Sequence, residues 1–214
     1  MRNFVDERTL ASKLANYRPG LLPGRRRLQR ASVALVMRPR AYNAEDLEVL
    51  LMHRSQRDGD PWSGHMSFPG GKQSTSDKNA LQCALRELRE ETNMQLNEGD
   101  AQPIGRLSDQ LTRQHHRNRP MVISAFVFFT SSTQTLSAER SEVNELMWLP
   151  LSELCDPANA DTLRWKVAGP LAANMPGATV RKHFIWGLSW NMLRELFWVA
   201  GVIRKKPRNL LPLI

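Results

Sequence analysis

The sequence predicts an α/β fold, a mixed β-sheet with helices on both faces and a helical arm at the N-terminus. Three observations predict it. Apolar runs of strand length recur, among them ASVALVMRP (31–39) and MVISAFVFFT (121–130). Helical spacing appears in one central and one C-terminal segment. Strands and helices alternate irregularly, as in mixed sheets covered by helices. With 214 residues, 41% of them hydrophobic, the chain can fill one sizeable core without disulfide staples.

Taken in order, VDERTLASKLANYRPG (5–20) reads as a short amphipathic helix, capped by Asp6 and ended by Pro19-Gly20. LLPGRRRLQR is an arm leading into strands at 31–39 and 47–54, with AYNAED as the turn between them. SQRDGDPWSG (55–64) is a loop of turn formers. After the short extended piece HMSFPGG, a helix is expected from about Lys78 to Thr92, with Ser76 and Asp77 as the best-placed caps. Further strands are expected at 102–108, 121–130 and 145–151, with a polar loop at 109–120. LSEL opens a short helix, and RKHFIWGLS leads from a strand into a last helix at 188–201. This divides the chain into an N-terminal helix and basic arm (1–30), a main domain (31–203) and a tail (204–214).

Composition narrows the partners. The net charge of +9, with basic clusters at GRRRLQR (24–30) and IRKKPR (203–208), favours anions: phosphorylated small molecules, RNA or a membrane surface. No aromatic residues interleave with the clusters as a single-strand groove requires, so RNA is the weaker expectation. The longest apolar run, 183–203, is interrupted by Arg194 and Glu195 and reads as a buried helix, not a membrane span. The N-terminus has no apolar core of a signal peptide, and Cys83 and Cys155 make no disulfide pattern, so a cytoplasmic location is expected. The apolar end NLLPLI suits either packing against the body or an interface, as in a homodimer.

The densest chemistry lies in FPGGKQSTSDKNALQCALRELREETNM (68–94). With about 100° per helical residue, Glu91 falls near +40° and Glu90 near −60° of Glu87. The three carboxylates share one arc, and Leu81, Ala84, Leu85 and Leu88 occupy the next. The acids therefore flank the core stripe. A like-charge pair at i,i+4 costs roughly 0.2–0.5 kcal/mol even when solvated, and more when desolvated. A hard divalent cation such as Mg²⁺ removes that cost. The bland alternative is a solvated acidic face neutralised by Arg86 and Arg89. Gly70-Gly71 just before the helix allows close backbone approach to a ligand. It is not a nucleotide-binding P-loop, because Lys72 is followed by Gln73 and no glycine stands five residues before Gly71.

These residues resemble the signature of the Nudix hydrolases, in which a glycine and an acid precede R-E-apolar-x-E-E. Here Gly71 and Asp77 precede Arg86-Glu87-Leu88-Arg89-Glu90-Glu91. Asp replaces the first Glu of the pattern, one extra residue lies before Arg86, and Asn93 stands for the closing Gly. The first two departures are similar to the coenzyme A pyrophosphatase branch. Asn93 is mild, because Asn is the next most tolerant residue in the left-handed conformation. LLMHRSQRDGDPWSGHMSFPGG, SEVNELMWLPLSEL and HFIWGLSWNMLREL extend the resemblance over roughly 30–203.

The resemblance implies a Nudix fold, a mixed sheet sandwiched between helices, and Mg²⁺- or Mn²⁺-dependent hydrolysis of a diphosphate in a nucleotide derivative, coenzyme A foremost. It implies Glu87, Glu90 and Glu91 as metal-binding side chains, with Glu87 and Glu91 ranked first. Arg86 would orient them, the base would lie in the box, as Glu90, or in a later loop, and Glu142 would be an added ligand or that base, with Glu139 and Glu145 as rivals. Arg54, Arg57, Gly70, Gly71 and Lys72 would contact substrate. Trp62 is expected to pack rather than stack on a base. His115-His116 lacks partners at zinc-site spacing, and Cys83 reads as a small packing residue. The alternatives are another nucleotide substrate (a damaged triphosphate, dinucleoside polyphosphate, ADP-ribose or RNA 5′ end) and a non-catalytic nucleotide sensor.

Overall fold

Two long strands organise the molecule, β1 (Gln29–Arg40) and β2 (Asn43–Arg54), joined by a tight turn at 41–42. Our computed structural model describes residues 6–56, 62–113, 119–168 and 171–207. Both strands are longer than the apolar pattern predicts, because the hairpin pairs Arg40 with Asn43 and leaves little of AYNAED as turn. β1 also pairs in parallel with β7 (Pro120–Phe129) over nine residues, Gln29–Met37 against Met121–Phe129. Its remaining flank takes the short β4 (Gly70–Lys72), antiparallel. β3 (Met66–Ser67) and β8 (Val143–Pro150) pair with β2. β5 (Gly105–Arg106) and β6 (Gln110–Arg113) pair with β7.

The expected strand at 102–108 is thus only two residues long, and the expected loop at 109–120 opens with a strand. β6 is polar in sequence, but Gln110 and Thr112 are buried because the hydrogen-bonding edge of β7 needs a partner. A second, antiparallel sheet of β9 (Ala160–Ala168), β10 (Leu171–Val180) and β11 (His183–Trp186) was not foreseen beyond its last strand. Its register rests on backbone pairing and a left-handed turn at Arg181 and Lys182, with little apolar alternation to announce it.

Side chains alternate across the main sheet and build two cores. Ala34 and Val36 of β1, Leu50 of β2 and Phe126 and Phe128 of β7 face α2 (Ala80–Thr92), packing on Ala84 and Leu88. Leu35, Met37, Val49, Leu51, Ala125 and Val127 face the opposite side. There α1 (Glu7–Asn16) and α4 (Gly187–Ala200) cover them with Leu10, Leu14, Leu193, Leu196 and Phe197. The short helix expected after β8 is α3 (Leu151–Cys155). This is the α/β sandwich the sequence predicts. Asp6 caps α1 as expected, accepting from the Thr9 amide at 3.0 Å. Among the described residues no helix is long and apolar enough to cross a membrane.

The N-terminal helix contributes directly to the second core, since Leu10 and Leu14 are almost fully buried and Gly105 leaves room for Leu14. Leu14→Ala should therefore cost about 2–5 kcal/mol, read as a lower urea midpoint with an unchanged slope.

Candidate active site

The site is made where β4 docks on α2. The helix starts two residues later than expected and is capped by Asn79, whose side-chain Oδ1 accepts from the Gln82 amide at 2.9 Å. Asp77 is thereby free for another task. It accepts two hydrogen bonds from Arg86, each 2.9 Å, and one from the Ser74 amide at 2.8 Å. The guanidinium beside Asp77 holds its carboxyl well below the usual carboxylate range. Arg86 reaches Glu87 at 2.8 Å and Glu90 at 2.9 Å with its other terminal nitrogen, and the Lys72 carbonyl at 3.2 Å. One arginine thus locks the glycine loop, the acid before the helix and two of the three glutamates.

Glu91 is the most buried of the three, at 3% exposure, and Glu90 lies mostly in solvent. The Gly70 amide donates to Glu91 at 2.7 Å. Burial pushes the Glu91 carboxyl up to about 8; the Gly70 bond opposes this, and the charges of Glu87 and Glu142 add to it. Burial also raises Glu87, against the pull of Arg86. A Cβ on Gly71 would meet the Glu87 carboxylate at about 2.5 Å, so glycine is what lets the loop lie on that carboxylate. The Gly71 carbonyl accepts from the Cys83 thiol at 3.5 Å, which gives Cys83 a packing place under the loop.

Arg54, at the end of β2, is close enough to favour the charged form of Glu91. The loop before β8 is tied to the end of α2: the Glu139 amide donates to the Glu91 carbonyl at 3.2 Å, and Ser137 to Thr92 at 3.0 Å. Glu142 follows, its carbonyl accepting from the Ser55 amide at 3.0 Å, and its charge acts on both Glu87 and Glu91. α2 ends at Asn93 in the left-handed conformation, φ 55°, as its side chain tolerates. The structure therefore brings Glu87, Glu90, Glu91, Arg86, Gly70, Gly71, Lys72, Arg54 and Glu142 together. Arg57 and His115-His116 lie outside the described residues. Trp62 is partly buried against the α1/α4 core. Glu145 faces away, 3.5 Å from His183. With His53 it forms a group that sequence spacing could not reveal, because three separate strands supply the residues.

A divalent cation fits the acidic site. The donors are hard carboxylate oxygens, burial disfavours the charged form of Glu91, and the absence of a side chain at Gly71 keeps the Glu87 carboxylate from being crowded out of place.

The NUDIX domain family model matches residues 28–168, and the chain belongs to that family. An uncharacterised protein of Schizosaccharomyces pombe is 39% identical over 110 residues, 51% of this chain and 33% of its own length. The mitochondrial coenzyme A diphosphatase NUDT8 of Homo sapiens is 29% identical over 142 residues, 66% of this chain and 58% of its own. The chain thus spans between about a third and three fifths of these relatives. Among solved structures, a MutT/nudix family protein from Enterococcus faecalis aligns over 88% of this chain and 62% of its own, at 16% identity and TM-score 0.47. The NUDIX domain of Shewanella oneidensis NrtR, complexed with ADP ribose, aligns over 66% and 83%, at 25% identity and TM-score 0.44.

Glu91 makes the cation-free protein sensitive to pH. Unfolded, it titrates near 4.5; folded, near 8. Between those values the native state holds a proton that the unfolded chain has lost, so stability falls as pH rises through the window. The urea midpoint of cation-free protein should drop from about pH 5 to about pH 8. Glu91→Gln should flatten that slope, and Mg²⁺ added at the upper end should restore the midpoint.

Proposed function

We propose that the protein hydrolyses the diphosphate bond of a nucleoside diphosphate derivative with Mg²⁺ or Mn²⁺, and that coenzyme A is its foremost substrate, cleaved to adenosine 3′,5′-bisphosphate and phosphopantetheine. The single observation that carries this reading is the desolvated Glu87–Glu91 pair held against Gly70-Gly71. A nucleotide sensor has no need of two carboxylates held side by side under such desolvation. The choice of coenzyme A is supported by the similarity to the human coenzyme A diphosphatase.

In this reading Glu87 and Glu91 hold the cation, with Glu90 at the rim. When bound, the cation neutralises diphosphate charge and lowers the pKa of water. Arg86 fixes the direction of the Glu87 and Glu90 carboxylates, so that little reorganisation is needed when substrate arrives. The side-chain-free surface of Gly70 and Gly71 admits the phosphates closely, and Lys72 adds a positive charge beside them. Arg54 stands beside the acids as a fixed positive charge for a phosphate oxygen. Glu142, on the loop tied to the end of α2, accepts the proton of the attacking water. Glu145 is the weaker rival for that role, because it points toward His183. The exposed Arg26 and Arg27 leave RNA as a partner with less support, since Arg25 of the same cluster is engaged with buried Asp109 at 2.9 Å.

The test is a panel of coenzyme A, NADH, ADP-ribose, a dinucleoside polyphosphate and 8-oxo-dGTP, each with Mg²⁺ or Mn²⁺. Coenzyme A should be cleaved with the highest kcat/KM. Glu91→Gln should abolish turnover, and Glu142→Gln should lower kcat by roughly 10²–10⁴-fold with little change in KM. Preference for another member of the panel would overturn the substrate. Failure to cleave any would overturn the enzyme reading, and a Glu91→Gln variant as active as wild type would overturn the assigned metal site.

A further inference from the structure

We propose that His53, Glu145 and His183, joined by Asn144, form a second metal site that takes a transition ion such as Zn²⁺ or Co²⁺ and is separate from the acidic site. His53 and Glu145 are directly opposed partners in the β2–β8 ladder. The next pairing is Arg54 with Val143, so Asn144 is the extra residue of a β-bulge. A bulge re-aims a side chain, and here it turns Asn144 toward the ring of His53, 3.1 Å from Nδ1. His183 comes from the start of β11, in the other sheet. Its ring lies edge-on to His53 with centroids 5.4 Å apart, and it is 8% exposed. One ligand-capable atom from each of His53, Glu145 and His183 lies within 4.8 Å of the other two.

The chemistry of the donors is specific. Nε2 of His53 sits 3.0 Å from the Gly64 carbonyl, which can only accept. The ring proton is therefore on Nε2, and Nδ1 carries the lone pair, facing Asn144. A metal-binding imidazole commonly has its other N–H anchored in this way on a backbone carbonyl. Rotating the Asn144 amide by half a turn exchanges its nitrogen for oxygen at the same place, completing an N₂O₂ set. Nε2 of His183 and Oε2 of Glu145 are 3.5 Å apart. Two ligands of a tetrahedral ion bound at 2.0–2.1 Å are separated by about 3.4 Å, so this edge needs almost no adjustment. Two imidazoles select zinc, cobalt or nickel over magnesium, which takes oxygen ligands and keeps its waters.

The site also has a place in the architecture. Leu47, Val49 and Leu51 of β2 face the α1/α4 core, and strand alternation puts His53 on that same face. Arg54, the next residue, is near Glu91 on the α2 side. A bound ion would tie β2 and β8 of the main sheet to the start of β11 in the small sheet, one residue from the substrate side. It is a structural clamp, independent of hydrolysis.

The test is a titration of the full chain with Co²⁺ in saturating Mg²⁺, followed by visible absorption. One equivalent should give the ligand-field bands of a four- or five-coordinate ion, and Zn²⁺ should bleach them. His183→Ala should abolish the bands. Glu145→Gln, at an exposed position that should not disturb folding, should weaken binding roughly 10–100-fold. Glu87→Gln with Glu91→Gln should leave the bands intact, which separates this site from the acidic one. Zn²⁺ at about 100-fold over the wild-type Kd should raise Tm by roughly 5–10 °C in wild type and by roughly 1–5 °C in Glu145→Gln. Absence of the bands, their survival at full strength in Glu145→Gln, or their loss in the acidic double variant would overturn the proposal.

Discussion

The interaction on which the site depends is the seating of Gly70-Gly71 on the acidic flank of α2. A buried glutamate beside a second one is an expensive arrangement, and only a few contacts make it tolerable. The Gly70 amide satisfies one oxygen of Glu91, and the missing side chain at Gly71 lets the loop pass over Glu87. Arg86 ties Asp77, Glu87 and the Lys72 carbonyl into one network. Remove the glycine loop and the acids become an ordinary solvated face. Keep it, and the helix presents charge that a cation can neutralise better than water can.

The sheet makes this seating possible. β1 carries β4 on one part of its length and β2 on another, which delivers both the glycine loop and Arg54 to the side covered by α2. The α1/α4 side supplies the larger apolar cluster, so the site can carry electrostatic cost without being the source of stability. The loop that bears Glu142 is held by the carbonyls at the end of α2. The acidic helix thereby sets the position of the groups in front of it as well as its own carboxylates.

Much of this was legible in the sequence because the signals are local. The R-E-L-R-E-E run fixes three acids on one arc of a helix, and the glycine pair before it sits close enough to meet them. Asn93 in the left-handed conformation was readable from its chemistry. The capping residue was not: several Asx and Ser residues compete ahead of α2, and pairing with Arg86 draws Asp77 away and leaves Asn79 to cap. β9 and β10 were not readable either, since their order comes from pairing with one another and not from apolar alternation. The same holds for His53, Glu145 and His183, which are distant in sequence and meet through ladder register and a bulge. Long-range pairing leaves no spacing to read.

The most direct measurement of the central claim is Mn²⁺ binding by electron paramagnetic resonance to wild type and Gly71→Ala. The nearest atoms to the added methyl are the end of the flexible Glu87 side chain, so the variant should fold normally while that carboxylate is displaced. If the Gly71 cradle and the Glu87–Glu91 pair form the cation site, wild type binds Mn²⁺ at this site and Gly71→Ala binds it at least tenfold more weakly, in line with the roughly 10–100-fold effect of disturbing a ligand's support. Equal affinity in a folded Gly71→Ala protein would contradict the account.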